Sequence, residues 1–296
     1  MWSPANETVE LLDRCTFPEP TTKVTCALSG GADSTALVVL AVAAGCSVSA
    51  VHVNHGLRPS ADDDAECARQ TAEHLGVSFR CAHIDLEDGP NLEARARDAR
   101  REILGPDAMT GHTADDQAET LLLALLRGSG AKGLAAITPG HRHPILALRS
   151  NETRELCGRE ALTFAIDPSN NDPRFRRNRV RHELLPLLNR IAERDVTTLL
   201  NRTADLLRND DDLLDSMAAS LDPTDVNALN DAPKALAARS IRQWLTRNGY
   251  PPGADAVTRV LTVASGDTAA CEVAGGIRIE RRQDRLQISP DGHSAR

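Results

Sequence analysis

The sequence predicts an α/β fold, a doubly wound parallel sheet followed by a smaller, mostly helical carboxyl-terminal domain. Three observations predict it. Short apolar runs alternate with helix-length segments between residues 23 and 128, the pattern of a parallel sheet covered on both faces. Polar clusters fall where those runs end, at Ser29, at His52–His55 and near His112, the edge at which open α/β sheets bind ligands. Beyond residue 190 the alternation gives way to long helical stretches. The expected domains are therefore 1–190, a helical linker over 191–230, and 231–296.

The elements follow in order. Residues 7–14 predict a short amphipathic helix, and Lys23–Leu28 a strand. Ser34–Ala44 is an alanine- and valine-rich helix ending at Gly45. "SVSAVHVNH" (47–55) alternates apolar and polar residues and predicts the second strand. "SADDDAECARQTAEHLG" (60–76) opens with a serine and acids and closes on glycine, as a helix does. "SFRCAHIDL" (78–86) is a third strand, and "NLEARARDARREIL" (91–104) a helix. "DAMTGHT" (107–113) predicts a short strand, "ADDQAETLLLALLRG" (114–128) a helix, and "HPILAL" (143–148) a further strand. Farther on, 193–221 and 231–249 predict helices, the second capped by Asp231, and 270–289 two strands around a turn.

Bulk composition narrows the function classes. The 296 residues carry a net charge of −8, which speaks against nucleic acid until the distribution is considered. Residues 174–182, "RFRRNRVRH", hold five arginines and no acid, whereas 205–231 hold eight aspartates and one arginine. One basic face can meet an anion while the acidic remainder keeps the chain soluble. The seven cysteines form no C-x-x-C and are odd in number, which fits neither a disulfide framework nor a zinc or iron–sulfur site. The amino terminus lacks a charged start followed by an apolar core, and no apolar run is long enough to span a bilayer. A reducing cytoplasm and no membrane partner are expected.

Four stretches carry candidate chemistry. "SGGADS" (29–34) joins a strand to a helix through two glycines, so backbone N–H groups and the positive helix end face an anion. It has no P-loop lysine. Asp33 suits a phosphate site when Mg²⁺ bridges the two; otherwise Asp33 or Ser34 is simply the helix cap. In "GHTADDQAET" (111–120), Thr113 and Asp116 fit a capping box, yet Glu119 shares a helix face with Asp116 and Asp115. Acids beside a phosphate loop need cations, either Mg²⁺ or an ammonium. His52 and His55 lack further ligands for zinc, so polar contacts or packing are expected. Arg97, Arg100, Arg101 and Glu93 read as a solvated helix face. The arginines of 174–181 repel one another unless an anion is present, which favours an anionic partner over an exposed basic helix end.

Together these stretches resemble one family. "SGGADS" matches the PP-loop of the N-type ATP pyrophosphatases, a Rossmann-like fold. Within that superfamily, "HVNHGLRPSADDDAE", "NLEARARDARREIL", "GHTADDQAETLLLALLRGSGAKGLAAI" and "FRRNRVRHELLPLLN" follow the blocks of the tRNA(Ile)-lysidine synthetase family in order and spacing. The likeness is strong over residues 20–190 and weaker over 230–290. Arg101 stands where members often have tyrosine, and Thr113 where many carry a second histidine. The sequence ends without the further carboxyl-terminal domain of longer members, so recognition of the tRNA acceptor region is expected to differ.

The resemblance implies a ligase acting on the minor isoleucine tRNA with a CAU anticodon. The 2-oxo oxygen of the wobble cytidine attacks the α-phosphate of ATP and pyrophosphate leaves, so no lysine is needed to hold a transferred γ-phosphate. The amino group of free L-lysine then displaces AMP, giving lysidine and changing the codon specificity from AUG to AUA. The resemblance assigns Ser29, Gly30, Gly31, Ala32, Asp33 and Ser34 to ATP, with Asp33 toward Mg²⁺ and Arg97 toward the nucleotide. It assigns Asp116 and Glu119 to the lysine. Arg176, Arg177, Arg179 and Arg181 are assigned to the tRNA or the lysine carboxylate, and Asp33, Asp116, Glu119 and Arg179 count as catalytic. A homodimer is also expected. The sequence names no base to deprotonate the lysine. A tRNA thiolation enzyme would need cysteines in C-x-x-C, an amide-forming NAD or GMP synthetase would not need the arginine cluster, and a non-catalytic nucleotide module would not need Asp116 and Glu119.

Overall fold

The computed structural model describes residues 6–54, 61–84, 92–165, 172–250, 252–273 and 276–289. The chain divides into two compact units, Met1–Asp205 and Leu206–Arg296.

The first unit is built on three parallel strands, β1 (Lys23–Ala27), β2 (Ser47–Asn54) and β3 (Ser78–His83), hydrogen-bonded in that order. Helix α1 (Asn6–Leu12) precedes them, and α2 (Ala32–Ala43), α3 (Ala61–Leu75) and α4 (Leu92–Leu104) follow one after each strand. The expected strand at 107–113 contracts to a single parallel bridge, Cys26 to Met109. Its backbone still pairs with β1, Ala27 N–H donating to the Met109 carbonyl at 2.9 Å and Met109 N–H to Thr25 at 2.8 Å. The Met109 segment thus lies on the side of β1 opposite β2, so the strand order reverses between them. That reversal opens the crevice in which doubly wound sheets hold their ligands.

Helix α2 is apolar nearly all round, with Ser34 to Ala41 buried, as expected for a helix enclosed by its neighbours. It forms the centre of a core with Val24, Cys26, Leu28, Ala50, Met109 and Leu156. The segment 143–148 is not a strand: His143 and Ile145 carbonyls accept from Leu146 and Leu148 in successive turns. Its apolar pattern has another cause, because Ile145 and Leu148 are fully buried in that core. A short apolar run does not distinguish a buried turn from a buried strand.

Helix α5 (Ala114–Leu126), the short α6 (Ala131–Leu134) and α7 (Ser150–Arg159) complete the sheet-bearing part. Then α8 (Arg176–Arg179) runs through a π-helical turn, Val180–Leu184, into α9 (Leu185–Ala192). Pro186 has no N–H to return to the preceding turn, which accounts for the widened turn before it. Val180 and Leu185 pack on Ala118, Leu121 and Leu122 of α5, together with Val196 and Ala204. This second apolar cluster lays the arginine-rich segment over α5.

A long helix, α10 (Thr197–Ala219), continues from the first unit into the second. The second unit holds α11 (Val226–Asp231), α12 (Lys234–Arg247) and α13 (Ala254–Ser265) with an antiparallel sheet. Asp231 ends α11 instead of capping α12, whose N-cap is Pro233. The expected two strands are three: β4 (Ala270–Val273), β5 (Ile277–Arg282) and β6 (Arg285–Ser289). The extra hairpin turns at Gln283 and Asp284, with Gln283 at φ 54, a tight turn made without glycine. Val257, Val260, Ile241, Leu245, Ile279 and Leu286 form this unit's own core.

Candidate functional site

The loop after β1 is shaped by its glycines and serines. Gly30 has φ +91, and a Cβ there would stand 2.8 Å from the Asp64 carbonyl oxygen. Only glycine accommodates both the left-handed backbone and the close approach. Gly31 is the N-cap of α2, so neither Asp33 nor Ser34 caps the helix. The Ser34 hydroxyl closes the loop, donating to the Gly31 carbonyl at 2.8 Å and accepting from the Ser29 N–H at 3.1 Å. The first turn of α2, beginning at Ala32, leaves backbone N–H groups without helical partners, an arrangement suited to an anion.

Asp33 stands in the first turn of α2. Its carboxylate accepts from the Thr153 hydroxyl and, at 3.4 Å, from the Ser150 hydroxyl. Burial raises its pKa to about 6; the Thr153 hydrogen bond opposes the rise and the nearby Asp116 charge adds to it. Gly111 abuts the same turn, where a Cβ would lie 2.6 Å from the Asp33 carbonyl oxygen. Gly111, Ser150 and Thr153 were not expected from sequence. For Gly111 the signal was its place before the acidic helix; the two hydroxyl residues lie in α7, far in sequence from the loop they meet.

Asp116 and Glu119 lie on α5, 8% and 0% exposed. Asp116 accepts from the Thr113 backbone N–H at 2.8 Å, the carboxylate half of a capping box. Both carboxylates also face two arginines. Arg177 donates to Glu119 at 2.7 Å and to Asp116 at 2.6 Å. Arg181 donates to Glu119 at 2.5 Å and to Asp116 at 3.5 Å. The four-residue spacing carries both guanidiniums to the same pair of acids, and each charge is met by its opposite, as burial requires.

The other arginines of this segment face outward. Arg179 pairs with Glu183 at 3.1 Å on the surface, and the exposed Arg174 with the partly buried Asp172 at 2.6 Å. Arg176 is exposed. The segment is therefore two-sided, with Arg177 and Arg181 on the inner carboxylates and Arg174, Arg176 and Arg179 toward solvent.

A hydroxyl chain joins the two halves of the crevice. The Thr113 hydroxyl donates to Asp116 at 3.2 Å and lies 3.1 Å from the Ser150 hydroxyl, which reaches Asp33. Beside it, the Thr110 hydroxyl sits 2.7 Å from His112 Nδ1 and 2.8 Å from His143 Nδ1. Burial lowers the pKa of both imidazoles, His143 to about 4. Both are neutral near pH 7.

His52 is buried and its Nδ1 lies 2.9 Å from the Leu28 carbonyl; His55 lies outside the described residues. Arg97 is on α4, but its side chain lies outside the described residues. Arg100 of the same helix is largely buried, which lowers its pKa, and its charge is felt at both His52 and His112. Among the described residues no group of three His, Cys, Asp or Glu side chains is placed to hold a metal ion. A separate cleft of about 570 Å³ between Arg14, Gln117, Arg149 and Asn201 contains none of the loop. Two of its arginines are already paired, Arg14 with Glu152, and Arg149 with Asp115 and Asp195. Among the described residues no helix is long and apolar enough to cross a membrane.

Known proteins share both units. The PP-loop domain family matches residues 5–188, and the TilS substrate binding domain family matches residues 225–287. The tRNA(Ile)-lysidine synthase of Nocardia farcinica is 41% identical over 295 residues, covering 92% of this chain and 93% of that protein. That of Rhodococcus erythropolis is 43% identical over 248 residues, covering 78% and 76%. Among solved structures, the U34-tRNA thiolase NcsA from Methanococcus maripaludis is similar with a TM-score of 0.55 and 19% identity, over 68% of this chain and 78% of that one. At that identity the likeness speaks for the PP-loop fold alone.

Proposed function

The chain belongs to the tRNA(Ile)-lysidine synthase family, and from that premise we propose that it joins free L-lysine to the wobble cytidine of the minor isoleucine tRNA, at the expense of ATP, to form lysidine. The cytidine 2-oxo oxygen attacks the α-phosphate and pyrophosphate leaves. The lysine amino group then attacks C2 of the adenylated base, loses its proton, and AMP departs with the oxygen.

The observation that carries the reading is the buried carboxylate pair, Asp116 and Glu119, beside a glycine loop without a P-loop lysine. Two acids near a polyphosphate site need cations. Arg177 and Arg181 supply them here, and an incoming ammonium is a cation of the same kind. In this reading Ser29, Ser34 and the backbone from Gly30 to Asp33 hold the phosphates, with Arg100 and Arg97 on the nucleotide side. Asp116 and Glu119 orient the lysine. Arg176 and Arg179 meet RNA phosphates, which for Arg179 replace a surface pair that contributes little.

A single carboxylate, Asp33, fits Mg²⁺ of the kind that keeps its waters and rides on substrate phosphates, and not a cage of protein ligands. Such an ion would neutralise the charge that develops on the phosphates. The thiols of Cys15, Cys26 and Cys157 do not suit sulfur transfer, since burial drives them up to about 12. The proposal also includes a cytoplasmic location and a homodimer, the latter tested by sedimentation equilibrium.

The experiment is incorporation of radiolabelled lysine into a transcript of the minor isoleucine tRNA with ATP and Mg²⁺. Label in that transcript alone, lost in Asp33→Ala and absent from elongator methionine tRNA, is the expected result. ATP turnover driven by another RNA, with no lysine incorporated, refutes the substrate assignment.

A further inference from the structure

Among the described residues Phe175 is the one exposed aromatic, in a chain in which aromatics are only 2% of residues. It is 41% exposed and belongs to none of the three apolar clusters of the described residues. Its backbone is fixed: its N–H donates to Asp172, and its carbonyl accepts from Arg179 at 3.2 Å as N-cap of α8. A hydrogen-bonded backbone thus presents an apolar ring that belongs to no core cluster.

Its surroundings select the partner. Arg174 and Arg176 flank it and Arg179 lies one helical turn on, all exposed, and the Arg179–Glu183 pair is a solvent-facing one that phosphates can displace. Two residues along the chain, Arg177 reaches the Asp116 and Glu119 carboxylates. The backbone that carries the ring therefore runs beside the crevice, and the ring itself is exposed. A flat apolar face set among cations is the arrangement that binds unstacked bases of single-stranded RNA, with arginines tracking the backbone.

We propose that Phe175 is a stacking platform for one unstacked base of the anticodon loop, steadying the loop as the wobble cytidine enters the crevice. This rests on the tRNA reading above and adds to it a contact that is neither electrostatic nor part of the chemistry.

The test titrates an anticodon stem-loop RNA against the full chain and its Phe175→Leu, Phe175→Trp and Arg176→Ala variants at several salt concentrations, each variant first shown to melt as the parent does. A stack predicts that Phe175→Leu weakens binding about tenfold with the salt slope unchanged. Phe175→Trp keeps the affinity, and its indole emission falls on binding. Arg176→Ala lowers the slope by about one. Parental affinity in Phe175→Leu, with the Arg176→Ala effect intact, overturns the stack and leaves the RNA reading standing. A parent chain that does not bind the stem-loop overturns both. A Phe175→Leu variant that melts early is replaced by Phe175→Trp, for which unquenched emission on a bound RNA overturns the proposal.

Discussion

Asp33→Asn is expected to stabilise the ligand-free protein while abolishing its ATP-dependent chemistry. Burial holds the Asp33 carboxyl near 6, against 3.8 for a free aspartate. At 1.36 kcal/mol per pKa unit, the ionised form in the folded protein costs about 3 kcal/mol relative to the unfolded chain, an upper figure. The folded state holds the proton more tightly, so stability falls as pH rises from about 4 to about 6 and the full cost is present above that range. Asparagine removes the charge at nearly constant shape, and its carbonyl oxygen can still accept from Thr153. At about 2–4 °C per kcal/mol for a unit of this size, Asp33→Asn melts several degrees higher at pH 8 and level with the parent near pH 4. Differential scanning calorimetry at the two pH values, without nucleotide, reads both. Equal melting at pH 8, or a gain that persists at pH 4, refutes the argument that an uncompensated charge is stored in the loop. The same ionisation predicts that Mg·ATP affinity falls as pH drops through about 6.

Two further substitutions test the scaffold of the site. Gly30→Ala forces a Cβ to 2.8 Å from the Asp64 carbonyl at φ +91, and is expected to cost on the order of 2 kcal/mol and remove ATP binding. Gly31→Ala is the comparison, since its Cβ meets only Ser29 Oγ at 3.8 Å; equal urea midpoints for the two variants refute the close approach. Arg181→Met leaves the fully buried Glu119 with Arg177 alone and is expected to cost on the order of 3 kcal/mol. Arg179→Ala breaks only a surface pair and shifts the urea midpoint by less than about 0.5 kcal/mol equivalent; the reverse order refutes the inside–outside division of this segment.

The strands, the glycine loop and the acidic helix were legible because each has a local cause: period-2 alternation in 47–54, paired glycines at 30 and 31, a capping pattern at Thr113 and Asp116. The orientation of the arginines was not. Sequence presents five cations in nine residues; only the packing of Val180 and Leu185 on α5 decides that Arg177 and Arg181 turn inward. The run 143–148 misled because burial of Ile145 and Leu148 in turns leaves the same apolar signature as a strand. Ser150 and Thr153 were invisible for the opposite reason: two hydroxyls 117 and 120 positions from Asp33 have no local pattern linking them to it.

The chain of hydroxyls between Asp116 and Asp33 has a consequence of simple counting. Four oxygens in line, two of carboxylates and two of Thr113 and Ser150, leave three gaps, and the two hydroxyls carry two protons to fill them. With both acids ionised, one gap is always vacant, and the vacancy can sit at either end or in the middle. Putting a third proton on Asp33 closes the line and polarises it in one direction. A positive charge arriving at either carboxylate selects which gap stays open. The occupancy of one end of the crevice is thereby written into the hydroxyl orientation at the other, without any movement of the backbone.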